Sequence, residues 1–148
     1  FLKKHKSKII FEPGRSIIGN TGTLISKIIY IKKSGKKNFI ILDAAMNDLM
    51  RPALYGAIHR IVPSLKKNKI SNENHEFVGP ICESTDSFLN LKKFQELREN
   101  EIVVVCDVGA YGMSLSSNYN LRPKPIELLI KGSKIKVIKK RQRHKDFI

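Results

Sequence analysis

A thiol stands directly beside a carboxylate in the segment Gly79-Pro80-Ile81-Cys82-Glu83-Ser84-Thr85-Asp86, at the end of an apolar run. Both are proton-exchanging groups, so this is the stretch around which chemistry is first sought. Gly79-Pro80 stiffens the approach, because Pro fixes φ while Gly tolerates unusual angles. Ser84, Thr85 and Asp86 are types that hydrogen-bond their own backbone in turns. Cys82 and Glu83 are therefore expected at a strand-to-turn junction. Taken alone the segment has two readings: a reactive pair, or a small buried thiol packing beside a solvated acid.

Three further clusters mix reactive side chains with backbone-shaping ones. Glu12-Pro13-Gly14-Arg15 follows an apolar run; Gly14 can bring its amide close to an anion, and Arg15 presents a planar fork for a carboxylate or phosphate. Arg51 and Tyr55 lie four apart around Pro52, so one helical turn places a guanidinium and a phenol on one face. Tyr111, in Gly109-Ala110-Tyr111-Gly112, has small neighbours that leave it room to reach a ligand. Each also has a plain alternative: a common Pro-Gly turn, a surface Arg with a core Tyr, and an aromatic that merely packs.

These clusters must be carried by something, and the sequence between them is rich in short strands. Leu24 to Ile31, then a charged turn over Lys32 to Lys37, then Phe39 to Asp43 predict a hairpin. Ala44 to Tyr55 predicts a structured loop ending in a tight helical turn, limited by Pro52. Ala57 to Val62 is expected as a strand, Lys66 to Asn74 as a polar loop with Ile70 its one core residue, and Phe88 to Leu97 as a short helix. Glu101 to Asp107 is the strongest strand, apolar on both faces, which makes Cys106 a core residue. Ile126 to Ile130 and Lys134 to Ile138 predict a last hairpin. Lys8 to Phe11 reads as a short strand, Ser16 onward as a short helix stopped by Gly19 to Gly22, and Arg141 to Ile148 as the opening of a helix. The whole reads as mainly β, a sandwich or barrel.

Composition narrows the function. With 148 residues, 41% hydrophobic and 28% charged, the chain suits one soluble domain. No apolar run approaches the roughly 20 residues of a membrane helix, so no membrane partner and a cytoplasmic setting are expected. The formal charge of +15 is dispersed in Lys pairs, and 21 of the 28 basic residues are Lys, which reads as a solvated surface rather than a nucleic-acid face. Two cysteines offer neither a metal-ligand spacing nor a disulfide framework.

In residue identity and order, the four clusters resemble the diaminopimelate decarboxylases, pyridoxal-phosphate enzymes of the alanine racemase-like fold. The segments that carry the resemblance are Glu12-Pro13-Gly14-Arg15, Met46-Asn47-Asp48-Leu49-Met50-Arg51-Pro52-Ala53-Leu54-Tyr55, Gly79 to Asp86, and Gly109-Ala110-Tyr111-Gly112 continuing to Asn120. The resemblance implies the C-terminal β-domain, barrel or sandwich, over 23–148. It implies the end of a cofactor-carrying (β/α)₈ barrel over 1–22, with the rest of that barrel and its cofactor-bearing lysine outside this sequence. Its implied roles are Cys82 as the proton donor, and Arg15, Arg51, Tyr55, Glu83 and Tyr111 as contacts to the substrate, meso-diaminopimelate. Glu12, Pro13, Gly14, Arg15 and Tyr111 would hold pyridoxal 5'-phosphate. Cys82 and Glu83 would serve the partner subunit's site in a homodimer. A related ornithine or arginine decarboxylase, and a non-enzymatic basic module that binds nucleic acid, are the alternatives.

Overall fold

The computed structural model describes residues 4 and 8–147. Among the described residues ten strands form three sheets, the main one six-stranded in the order β3 (Ile61–Pro63), β8 (Ile102–Val105), β1 (Leu24–Ser34), β2 (Lys37–Leu42), β5 (Asn74–Val78) and β6 (Ser87–Leu91). Its long member, β1 (Leu24–Ser34), is joined through a tight turn to β2 (Lys37–Leu42), with Ser34 opposite Lys37. Gly35 supplies the left-handed backbone, φ 59°, that this turn needs. The predicted hairpin is thus present and tighter than expected, because Ser34 and Lys37 join the ladder.

β1 works in two halves. Leu24 to Lys27 pair with β8 (Ile102–Val105), while Ile28 onward pairs with β2. The register slips between Ile28 and Tyr30, leaving Ile29 as the extra residue of a bulge. Bulges bend the strand and increase its twist, and here that curls the sheet around its apolar face into half a barrel. Into the curl point Ile28, Ile40, Leu42, Phe77, Val103 and Val105, all at 1% exposure or less. The fold class read from the sequence is the one observed.

The edges depart from it in instructive ways. β3 spans only Ile61–Pro63 rather than Ala57 to Val62, since Gly56, at φ 60°, closes the preceding helical turn and 57–60 run on without forming a ladder. Ile70, expected in the core, is 56% exposed and begins β4 (Ile70–Ser71). The predicted helix Phe88 to Leu97 is instead β6 (Ser87–Leu91) and β7 (Phe94–Gln95). Its apolar spacing fits a helix, but β5 (Asn74–Val78) offers an open edge that pairs with β6 from His75 opposite Leu91 to Val78 opposite Ser87. Tertiary pairing overrides a short local pattern. β7 pairs with β4, and Phe94 packs edge-on against Phe77, centroids 5.2 Å apart.

Lys8 to Phe11 is not a strand and forms no ladder with any described residue. The predicted short helix is α1 (Arg15–Ile18), followed by a 3₁₀ turn over Gly19–Thr21. The last hairpin, β9 (Glu127–Lys131) with β10 (Lys134–Lys139), is as expected. Beyond it a single 3₁₀ turn, His144–Asp146, stands where a helix was predicted; Ile148 lies outside the described residues. No helix among the described residues is long and apolar enough to cross a membrane.

Candidate active site

Strand direction gathers the site. β1 is antiparallel to both β2 and β8, and β2 is parallel to β5. The carboxyl ends of β2, β5 and β8 therefore lie at one end of the sheet, together with the amino end of β1. The four sequence clusters are the segments attached there: 12–15 ahead of β1, 46–55 after β2, 79–86 after β5 and 109–120 after β8.

After β5, Asp86 holds the turn that carries Cys82 and Glu83. The Ile81 amide donates to Asp86 Oδ2 at 2.8 Å, and the Met46 amide, from the loop after β2, donates to Oδ1 at 2.7 Å. Backbone bonds from Gly79 N–H to the Asp86 carbonyl and from Asp86 N–H to the Glu83 carbonyl close the loop at both ends. Gly79 is required by contact. A Cβ there would lie 2.2 Å from the Asp86 carboxylate. Burial pushes the Asp86 carboxyl above the ordinary range, with the Ile81 and Met46 amides and the Arg122 charge pulling the other way. Cys82 is exposed, not a buried thiol filling space, and Glu83 beside it is exposed too.

After β2, a turn bonds Asp48 N–H to the Ala45 carbonyl, and Ala45 N–H donates back to Asp48 Oδ2. It delivers α2 (Arg51–Tyr55), with Pro52 in its first turn and Gly56 as its left-handed cap. Arg51 is 8% exposed. Its guanidinium carbon lies 5.8 Å from the Tyr55 ring centroid and 5.7 Å from that of Tyr111, so a cation sits between two phenols. No carboxylate among the described residues lies within 4.0 Å of it. A buried cation with no counter-ion among the described residues is costly and invites an anion from outside.

Tyr111 reaches Arg51 from a strained backbone, φ 60°, a conformation uncommon for an aromatic residue. The turn before it is anchored to the amino end of β1: Gly109 N–H donates to the Gly19 carbonyl at 2.9 Å and Val108 N–H to that of Gly22 at 3.0 Å. Any Cβ on Gly109 would come within 2.1 Å of the Ile18 carbonyl oxygen. This close approach ties α1, and with it Arg15, to the end of β8 that leads to Tyr111. Glu12, Pro13, Gly14 and Arg15 are all exposed. Space around Gly14 is open, with nothing within 4 Å of where a Cβ would stand, and Arg15 also has no carboxylate partner among the described residues.

The structure thus joins Arg51, Tyr55 and Tyr111 directly, places Cys82 and Glu83 on a neighbouring loop, and leaves 12–15 open beside them. No hydrogen bond or ion pair among the described residues links Cys82 or Glu83 to Arg51, Tyr55 or Tyr111. Sequence reasoning gave no such role to Asn47, Arg122 and Tyr119. Arg122 Nε donates to Asn47 Oδ1 at 3.0 Å, and Arg122 lies 3.7 Å from Asp48. Asn47 is fully buried and bonded through its backbone and side chain to Ser117. Tyr119 Oη donates to Glu83 Oε1. Asn47 and Tyr119 stood within quoted motifs without a signal of their own, and Arg122 has none locally.

The family profile of the pyridoxal-dependent decarboxylase C-terminal sheet domain matches residues 16–109. Diaminopimelate decarboxylase of Aquifex aeolicus is 44% identical over 147 residues, 99% of this chain and 34% of that protein. The crystal structure of diaminopimelate decarboxylase from Helicobacter pylori complexed with L-lysine superposes with a TM-score of 0.82 at 45% identity, covering 91% of this chain and 33% of that one. The enzyme from M. jannaschii in co-complex with L-lysine gives 0.86 at 35% identity, covering 91% and 31%. The chain spans about a third of the length of the relatives it matches. With the profile running from α1 through β8 to the turn before Tyr111, the chain belongs to the pyridoxal-dependent decarboxylases, in their C-terminal sheet domain.

Proposed function

We propose that this chain is the C-terminal part of a cytoplasmic diaminopimelate decarboxylase, which converts meso-diaminopimelate to L-lysine and carbon dioxide. The observation that carries the reading is Arg51, a nearly buried guanidinium between Tyr55 and Tyr111 with no carboxylate partner among the described residues. A substrate with a second carboxylate answers that vacancy of charge, and ornithine or arginine, lacking one, does not. Arg51 and Arg15 would bind that distal carboxylate as charge-assisted pairs, with Tyr55 adding a hydroxyl and Glu83 accepting from the distal ammonium group.

The residues present also fit an anionic cofactor: Arg15 has no carboxylate partner among the described residues, and Gly14 beside it leaves its backbone open to close approach. Glu12, Pro13, Gly14 and Arg15, with the Tyr111 hydroxyl, would line the pocket for the phosphate of pyridoxal 5'-phosphate. That group, when bound, supplies the electron sink for the carbanion left as carbon dioxide departs. Cys82 would hold a proton at Sγ and deliver it to that carbon as a general acid.

In this reading residues 1–22 end the cofactor-carrying barrel and 23–148 form the β-domain, and the lysine that carries the cofactor belongs to the preceding barrel. Cys82 and Glu83 serve the site of a second copy. Their exposure supports this, as does the absence of bonds from them to Arg51, Tyr55 or Tyr111 among the described residues. An apolar groove beside them, lined by Ile29, Tyr30, Phe39, Ile41 and Pro80, is surface suited to that copy.

The deciding experiment measures carbon dioxide released from meso-diaminopimelate and from ornithine by the full-length protein that carries this chain. Release from diaminopimelate alone is expected; release from ornithine alone would overturn the reading. The 148-residue chain by itself is expected to release none and to show no cofactor absorbance, and a bound-cofactor band in it would contradict the assignment of the lysine.

A further inference from the structure

Glu83 is a short, exposed carboxylate at the tip of a turn, and left alone it would sample several rotamers. A freely rotating anchor recognises a cation poorly, because binding must first freeze it. The structure supplies a brace. Tyr119 Oη donates to Glu83 Oε1, which holds one carboxylate oxygen and leaves Oε2 for a second donor. The same contact, with the Glu83 charge, holds the Tyr119 phenol protonated to higher pH than usual.

The brace is itself rigidly mounted. Tyr119 opens a 3₁₀ turn, Tyr119–Leu121, whose Asn120 and Leu121 both take a left-handed backbone at φ 55°. Such a pair persists only where surrounding bonds enforce it. Those bonds are present: Asn118 Nδ2 donates to the Arg122 carbonyl at 2.9 Å and to Gln142 Oε1 at 2.6 Å, and the Tyr119 amide lies 3.4 Å from Ser117 Oγ. Ser117 N–H in turn donates to the Asn47 carbonyl at 2.9 Å. Asn47 stands four residues before Arg51 on the loop whose Met46 amide is held by Asp86. The Glu83 carboxylate and the Arg51 guanidinium are therefore both referenced to one buried residue, Asn47.

We propose that Tyr119 is a positioning residue that orients Glu83 for an ammonium group of the substrate, and so sets discrimination between amino acids with and without a distal amine. This rests on Glu83 as the ammonium anchor, the reading given above. Tyr119 touches Glu83 and is assigned no contact with substrate. Its hydroxyl makes the turn tip a defined acceptor.

The test compares wild-type full-length decarboxylase with Tyr119→Phe on meso-diaminopimelate and on 2-aminopimelate, the same diacid with one amine fewer. Tyr119→Phe should raise KM for diaminopimelate about tenfold, the size of one hydrogen bond to a charged group, with kcat little changed. It should leave 2-aminopimelate unaffected, and add nothing in a Glu83→Ala background. Equal losses on both substrates, or additive losses with Glu83→Ala, would overturn the proposal. A second readout needs no turnover: absorbance titration of the tyrosines, with Tyr119→Phe subtracted to isolate Tyr119. Its ionisation should move to lower pH in Glu83→Ala. No movement overturns the pairing itself, whereas movement in a protein that does not turn over diaminopimelate overturns the anchor reading instead.

Discussion

Replacing Asp86 by Asn tests how the site loops are held, because it keeps the shape of the side chain and changes only what one atom offers. Both carboxylate oxygens accept backbone amides, from Met46 at 2.7 Å and from Ile81 at 2.8 Å, and the residue is 3% exposed. In Asp86→Asn one oxygen remains, while the new NH₂ faces an amide that also donates. Leaving one buried donor unpaired costs about 1–3 kcal/mol. Burial already disfavours the wild-type charge, which offsets part of that cost, so a net loss of about 1–2 kcal/mol is expected, rising to roughly 2–4 kcal/mol in Asp86→Ala, which removes both acceptors. The dependence on pH has a definite sign. The folded carboxyl stays protonated above the point, about pH 3.9, at which an unfolded Asp releases its proton, so the folded state binds more protons there. The contribution of Asp86 to stability therefore falls as pH rises from that value through the raised one. Asp48, also raised chiefly by burial, adds a slope of the same sign; the Asp86 charge is the last and smallest cause of that rise, so most of the Asp48 slope is common to wild type and variant. The gap between wild type and Asp86→Asn should thus narrow as pH rises through that window. Urea denaturation followed by circular dichroism or tyrosine fluorescence reads it, the chain having no Trp. Losses below about 0.5 kcal/mol in both variants, against the about 1 kcal/mol minimum for a lost buried bond, or a gap that widens with pH, would refute the reasoning.

Gly79→Ala should destabilise by about 1–3 kcal/mol, since its Cβ would fall 2.2 Å from the Asp86 carboxylate; the same denaturation series should show the loss shrinking in an Asp86→Ala background. Cys82→Ala, at an exposed position, should leave the denaturation midpoint within about 0.5 kcal/mol of wild type, yet lower kcat of the full-length enzyme roughly 100- to 10,000-fold. Arg51→Lys keeps the charge and loses the planar guanidinium fork that lies near the Tyr55 and Tyr111 rings; steady-state kinetics should show kcat/KM for diaminopimelate reduced by about tenfold or more.

Features set by neighbours in sequence were legible before the structure. The first hairpin depends on Ser34-Gly35-Lys36-Lys37, and α2 on Pro52 and Gly56, all local chemistry. The four clusters carrying Arg15, Arg51, Cys82 and Tyr111 were recognisable as motifs. What escaped was set at a distance. Phe88 to Leu97 has a spacing that serves a helix or a pair of strands equally, and the open edge of β5 decided it. Arg122 gave no local sign that it would bond to Asn47, and Tyr119 none that it would reach Glu83, because each bond spans a long stretch of chain. Asp86 was recognised as a turn residue; its second bond, to Met46 across the loops, was not visible.

The parallel pairing of β2 with β5, from Lys37 opposite Asn74 to Ile41 opposite Val78, bears on the order in which this domain assembles. A hairpin such as β1 with β2 zips from its turn, whereas β2 and β5 meet only after the intervening chain, with α2, β3 and β4, has closed into a loop. Such non-local pairing forms slowly and is rewarded late. The bond from the Met46 amide to Asp86 joins the loops that follow these two strands, so the loops bearing Arg51 and Cys82 are expected to come together with that pairing, after the first hairpin.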